Sequence, residues 1–164
     1  VSRGLGDVYK RQALNCVAKQ PEILLRKKAP IIITPHPGEM SRLTGLATPL
    51  VNAERQRVAL DFAQKYGVVT VLKGAGTVIA SPNGKVLVNQ TGNSGMATGG
   101  SGDVLAGMTA SILAQGASAF SSAAAAVYLH GLAGDIAAEK YGKISMLPTD
   151  LINCIPLAYK RCGF

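Results

Sequence analysis

The chain has 164 residues, 48% of them hydrophobic and 16% charged, which suits one domain with a packed core and argues against disorder. Its net charge of +8 raises nucleic acid as a partner, but the basic residues are scattered and no aromatics interleave with the dense cluster Arg26-Lys27-Lys28; the charge reads instead as attraction for small anions such as phosphates. Three cysteines without a C-x-x-C spacing indicate neither a disulfide framework nor a zinc site and point to a reducing cytoplasm, and no apolar run is long enough to span a membrane.

Residues 1–12, Val-Ser-Arg-Gly-Leu-Gly-Asp-Val-Tyr-Lys-Arg-Gln, show neither helical nor strand period. They resemble translated sequencing-adapter read-through, with a genuine N-terminal loop as the alternative, and are set outside the fold as a tag would be. The folded unit is read as residues 13–164.

Residues 13–19 read as a short helix and 23–28 as a further helical turn. Ile31-Ile32-Ile33 is a β-branched run that fits a buried parallel strand. It leads into Thr34-Pro35-His36-Pro37-Gly38-Glu39, where prolines pin the backbone on either side of His36. An imidazole fixed at the end of a central strand stands where α/β proteins place ligand contacts. A surface turn with an incidental His fits the spacing equally well. Glu39 falls in the first turn of a helix running to about Thr44.

Residues 52–66 predict an amphipathic helix, with Asn52 as N-cap, Val58, Ala59 and Phe62 among its apolar positions, and Gly67 as its stop. Residues 68–72 are the next buried strand. Lys73-Gly74-Ala75-Gly76-Thr77 follows at its C-terminal end. Its amides, the Thr77 hydroxyl and the Lys73 cation suit the phosphates of a nucleotide; a hairpin turn with a surface Lys is the other reading. Residues 78–80 and 85–88, joined through Pro82-Asn83-Gly84, read as a hairpin.

The densest signal is residues 92–103, where Gly92, Gly95, Gly99, Gly100 and Gly102 lie between the hairpin and a helix. A glycine-rich turn at a helix N-terminus offers several unpaired N–H donors and the positive end of the dipole to an anion. Asp103, in the first helical turn, would repel that anion unless a metal is present or the carboxylate must accept a proton. A plain helix-capping Asp is the structural alternative. Residues 104–115 and 117–140 are helical, His130 reads as a packed helix residue, and Asp135 and Glu139 share a face without a His or Cys to complete a metal set. Thr149 or Asp150 caps a last helix over 151–159.

Taken together, Thr34-Pro35-His36-Pro37-Gly38-Glu39, Leu72-Lys73-Gly74 with Thr77, and residues 92–103 resemble the NAD(P)H-hydrate dehydratase family of the ribokinase-like superfamily. Ala13-Leu14-Asn15 looks like the tail of that family's Asp-Ala-Asp-Ala-Leu-Asn stretch. The resemblance implies a three-layer α/β fold with a mainly parallel sheet, here without its N-terminal part. It implies repair of NADH and NADPH hydrated on the nicotinamide ring, with ADP or ATP as phosphoryl donor and Mg2+ as cofactor. Phosphorylation of the ring hydroxyl is followed by loss of phosphate. It would make Asp103 the substrate-contacting base and His36 a contact to the hydrated dinucleotide. Lys73, Gly74, Ala75, Gly76 and Thr77, with Gly99, Gly100, Ser101 and Gly102, would bind the nucleotide. The expected partners are these small molecules and further copies of the chain, with no nucleic acid or membrane, and an N-terminal epimerase domain in the parent gene is left open.

Two other readings stand beside it. A ribokinase-like small-molecule kinase, of the hydroxyethylthiazole or pyridoxal type, would share Asp103 and the anion hole and stop at the phosphorylated product. A nucleotide-binding fragment would keep the anion hole without catalysis.

Overall fold

The structure is a computed structural model and describes residues 7–9 and 11–164. Its strands are β1 (Asp7–Tyr9), β2 (Ile31–Ile33), β3 (Val69–Leu72), β4 (Val78–Ala80) and β5 (Val86–Val88), which form one sheet in that order. Its helices are α1 (Arg11–Val17), α2 (Pro37–Thr44), α3 (Thr48–Ala53), α4 (Arg55–Tyr66), α5 (Ser101–Ala114), α6 (Ala119–Tyr141) and α7 (Pro148–Arg161), with a 3-10 helix over Pro21–Arg26 and another over Ser94–Met96.

Period-two burial of the strands builds three layers. Ile31, Ile33, Leu72, Val78 and Ala80 face a core shared with α1 to α4, through Leu14, Met40, Val51 and Phe62. Ile32, Val69, Val71 and Ile79 point to the opposite face, where Leu105 of α5 and Ala126 and Val127 of α6 cover them. Strands buried on both faces read as continuous apolar runs, which is why these short segments were legible. A third cluster, Leu129, Ile136, Leu151 and Cys154 among it, packs α7 onto α6.

The sheet is mixed where the resemblance implied a mainly parallel one. β1–β2 and β2–β3 are parallel, β3–β4 and β4–β5 antiparallel. The links at residues 73–77 and 81–85 are too short for a crossover, so they join antiparallel neighbours.

Three local expectations change. Within residues 1–12, set apart from the fold by their sequence, 1–6 and 10 lie outside the described residues. The backbone of Asp7–Tyr9 pairs with β2 as a parallel edge strand, and Arg11 opens α1. Backbone pairing leaves no compositional mark in three residues. The expected helix over 52–66 is two: Asn52 lies inside α3, which starts at Thr48-Pro49, and Glu54 interrupts the chain with φ −123° and ψ 39°. Val51, fully buried, is the anchor that makes α3 a separate element. The last helix starts at Pro148, with Leu147 as N-cap, and Asp150 serves it by accepting the Leu147 N–H at 2.8 Å. Gly67 does end α4, in the left-handed conformation. Among the described residues no helix is long and apolar enough to cross a membrane.

Candidate active site

Strand direction puts the three suspect segments on one sheet edge. β2 and β3 run parallel, so the segments after Ile33 and after Leu72 leave side by side, and the Lys73 N–H extends the pairing to the Pro35 carbonyl at 2.8 Å. Two antiparallel steps turn β5 back into the direction of β3, so the chain after Val88 leaves at the same edge. The Asn89 N–H closes onto the Thr77 carbonyl at 2.9 Å. Residues 92–100 then lead into α5, whose N-terminus faces the same space.

That space is a cavity of about 930 Å³. Its wall takes in His36, Lys73, Gly74, Ala75, Gly76 and Thr77, the segment from Asn89 to Ser94, Met96 to Thr98, and Ser101 and Gly102; Leu105, Val127, His130 and Gly131 form its helical side. Lys73 to Thr77, Ser101, Gly102 and His36 are therefore brought together. Gly99, Gly100 and Asp103 are exposed and lie beyond the lining. Gly100 is the N-cap of α5 with φ +99°, a conformation that a side chain would strain. Its carbonyl accepts the Asp103 N–H at 2.9 Å, which fixes the backbone of the first turn. Ser101 Oγ is buried at the cavity wall without a hydrogen-bond partner among the described residues.

His36 is both an N-cap and a wall residue. Its Nδ1 accepts the N–H groups of Gly38 at 3.0 Å and Glu39 at 3.2 Å, so its ring proton resides on Nε2, 3.6 Å from Glu39 Oε1. Glu39 answers by accepting the His36 N–H at 2.7 Å, completing a capping box. Only 2% of the Glu39 side chain is exposed. Its Oε2 stands 3.7 Å from Lys73 Nζ, which also donates to the Thr34 carbonyl at 2.6 Å. The ammonium faces α5 as well: a Cβ on Gly102 would stand 3.6 Å from it. Thus Lys73 ties the ends of β2 and β3 together beneath the α5 N-terminus.

Sequence reasoning missed the residues that hold these segments from behind. Arg55, at the start of α4, donates through Nη2 to the Leu72 carbonyl at 2.8 Å and reaches that of Gly76 at 3.5 Å. It therefore holds the turn at residues 73–77, and burial lowers its pKa from the ordinary value. His130 is packed in α6, as expected of it, and 8% exposed. Its Nε2 lies 2.9 Å from the Ser101 carbonyl, so that nitrogen carries the proton and donates. Burial, the largest influence, pushes the His130 pKa below 6.5; the Ser101 carbonyl opposes the shift and the Lys73 charge adds to it. The neutral form therefore dominates in the folded protein above pH 6.5. A base whose pKa falls on folding lets the unfolded chain bind more protons, so its contribution to stability is complete above pH 6.5 and is lost as pH falls through the folded value. Denaturant midpoints taken across that range should decline with acid in the wild type, and His130→Gln should remove His130's share of the slope.

The sequence pattern of the NAD(P)H-hydrate dehydratase family matches residues 8–157. The chain belongs to the NAD(P)H-hydrate dehydratase family. Among its curated relatives is the bifunctional NAD(P)H-hydrate repair enzyme of Moorella thermoacetica, 44% identical over 94% of this chain and 29% of the relative. Another is the ADP-dependent (S)-NAD(P)H-hydrate dehydratase of Neisseria meningitidis, 42% identical over 82% of this chain and 46% of the relative. This dehydratase-family chain thus spans less than half the length of these two relatives. A crystal structure of the ADP/ATP-dependent NAD(P)H-hydrate dehydratase of Bacillus subtilis, grown with ATP and Mg2+, superposes with TM-score 0.79 at 36% identity, over 82% of this chain and 49% of that one. A ribokinase-like superfamily protein from Enterococcus faecalis superposes with TM-score 0.77 at 32% identity, over 94% of this chain and 52% of that one. The fold of this dehydratase-family chain is the ribokinase-like α/β fold. A hydroxyethylthiazole kinase from Pyrococcus horikoshii shares the fold at TM-score 0.63 but only 16% of the sequence, over 90% of this chain and 67% of that one.

Proposed function

We propose that this chain supplies the nucleotide-binding side of an enzyme that dehydrates hydrated NADH or NADPH, with ADP or ATP as phosphoryl donor. One observation carries the reading: the Lys73–Thr77 turn, the opening turn of α5 with its buried Ser101 hydroxyl, and His36 all line one cavity. A helix N-terminus with a nearby ammonium is an anion site, and a buried hydroxyl without a protein partner calls for a ligand oxygen. Lys73 and the α5 amides would bind the phosphates. Asp103 would take the proton of the ring hydroxyl as the phosphoryl group moves to it, the terminal P–O bond of ADP or ATP breaking to leave AMP or ADP, and His36 would orient the dinucleotide. Loss of phosphate and a ring proton then restores the double bond.

Mg2+ would enter on the nucleotide. Among the described residues no three His, Cys, Asp or Glu side chains gather to hold a metal, and Mg2+ is ordinarily bound by substrate phosphates with one or two carboxylates. When bound it neutralises phosphate charge. Assembly into a homo-oligomer and a cytoplasmic location belong to the same reading.

A second reading, nucleotide binding without catalysis, is favoured by the exposure of Asp103 outside the cavity lining. Supplying hydrated NADPH with ADP and then ATP, and following the return of NADPH absorbance, separates the two. Turnover with either nucleotide supports the dehydratase. ADP binding by calorimetry without turnover supports the second reading, and absence of both removes the nucleotide assignment.

A further inference from the structure

Among the described residues the segment 91–96 pairs with no strand, yet its backbone needs partners. It finds them on α6. Asp135 Oδ2 accepts the Gly92 N–H at 2.8 Å, and Oδ1 accepts the Asn93 side-chain amide at 2.9 Å. That same amide donates to the Gly134 carbonyl at 3.0 Å, so both of its hydrogens are used. Asn93 Oδ1 is thereby turned toward the Gly95 N–H and accepts it at 3.0 Å. Just before it in the chain, the Thr91 hydroxyl donates to the Tyr128 carbonyl at 2.9 Å.

The helix is cut to receive the loop. A Cβ on Gly131 would collide with Thr91, and one on Gly134 with the Met96 side chain. Tyr128, Gly131 and Gly134 recur every three residues and so form one face of α6, with Asp135 beside it. Gly92, Asn93 and Met96, held on this face, are themselves cavity wall.

We propose that Asp135 is a positioning residue for the nucleotide: through Gly92 and Asn93 it sets the shape of the glycine-rich wall before any ligand arrives. This rests on the cavity being the nucleotide site. Asp135 acts at the loop's first two residues, and Asn93 relays its orientation to Gly95. A wall held in its binding shape lowers the ordering cost of binding.

The test uses three variants, Asp135→Asn, Asn93→Asp and the pair together, with ADP affinity measured by calorimetry well below each melting temperature. Amide exchange at Gly92 and Gly95 is followed without ligand. Asp135→Asn should weaken ADP binding about tenfold, since one charged hydrogen-bond acceptor is lost. Asn93→Asp should do worse, because it sets two carboxylates against each other. In the double variant the amide introduced on α6 donates to the carboxylate introduced on the loop. The contact between positions 93 and 135 is restored with its roles exchanged, the Gly134 carbonyl lacking its donor equally in both proteins that carry Asn93→Asp, and binding should recover about tenfold over Asn93→Asp alone. Wild-type affinity in Asp135→Asn, or a double variant no better than Asn93→Asp, would overturn the proposal. A merely structural Asp135 lowers the melting temperature and leaves affinity unmoved, which overturns it too. If the wild type binds no ADP, the nucleotide reading fails by itself. Exchange then decides the positioning: faster exchange confined to Gly92 and Gly95 in Asp135→Asn supports it, and unchanged exchange ends it.

Discussion

Asp103→Asn, made in a version of this protein as long as its relatives, is expected to abolish turnover while nucleotide binding persists. Asn keeps the shape of Asp, and the first turn of α5 is held by the Asp103 N–H on the Gly100 carbonyl and by the His130 ring on the Ser101 carbonyl, bonds that do not use the Asp103 carboxylate. The loop should therefore stand. What Asn cannot do is accept the hydroxyl proton, so a general-base contribution of roughly 10²–10⁴-fold should vanish. ADP affinity should hold or improve, because a negative charge near phosphate is removed. A purely capping Asp103 makes the opposite forecast, a small stability loss and a near-normal rate. Rate and ADP affinity measured on the same variant decide between them. A rate within a few-fold of wild type would refute the base assignment.

Glu39→Ala should have the largest effect on stability. The carboxylate is 2% exposed and serves three groups: the His36 N–H, the His36 ring and the Lys73 ammonium. Removing it uncaps α2 and takes a buried counter-charge from Lys73, itself only 26% exposed. Losing a buried partner of a charged network costs about 3 kcal/mol. In a chain of this size that lowers the melting temperature by roughly 6–12 °C. Glu39→Gln, which still accepts the His36 N–H, should recover part of the loss. Denaturant unfolding of both variants checks this, and a Glu39→Ala protein as stable as wild type would show that neither the α2 cap nor Lys73 depends on Glu39.

Elements with strong local signals were readable without coordinates. Ile31–Ile33 and the run before Lys73 are buried on both faces, so their apolar character is continuous. The hairpin announces itself by Pro82-Asn83-Gly84, and Gly67 ends α4 as the sequence predicts. Signals failed where only main chain or context decides. Asp7–Tyr9 joins the sheet by backbone pairing, and α3 separates from α4 because Val51 finds a place in the core.

The candidate site divides along the same line. By itself the sequence determined that glycine-rich turns carrying Lys73 and Asp103 follow strands or precede a helix, because glycine, lysine and a first-turn carboxylate act through chemistry local to their own segment. Only the tertiary structure decided that Lys73 to Thr77 and Ser101 to Gly102 share one cavity while Asp103 stands outside its lining. The parallel pairing of β2 with β3 and the two reversals that follow set that meeting. It also decided the supports: Glu39 under Lys73, Arg55 behind the 73–77 turn, His130 on Ser101 and Asp135 on Gly92. Each joins residues 17 to 43 apart in the chain, or crosses from one element to another. Hydrogen bonds act over about 3 Å, so such a pairing exists only once packing has brought the two elements together.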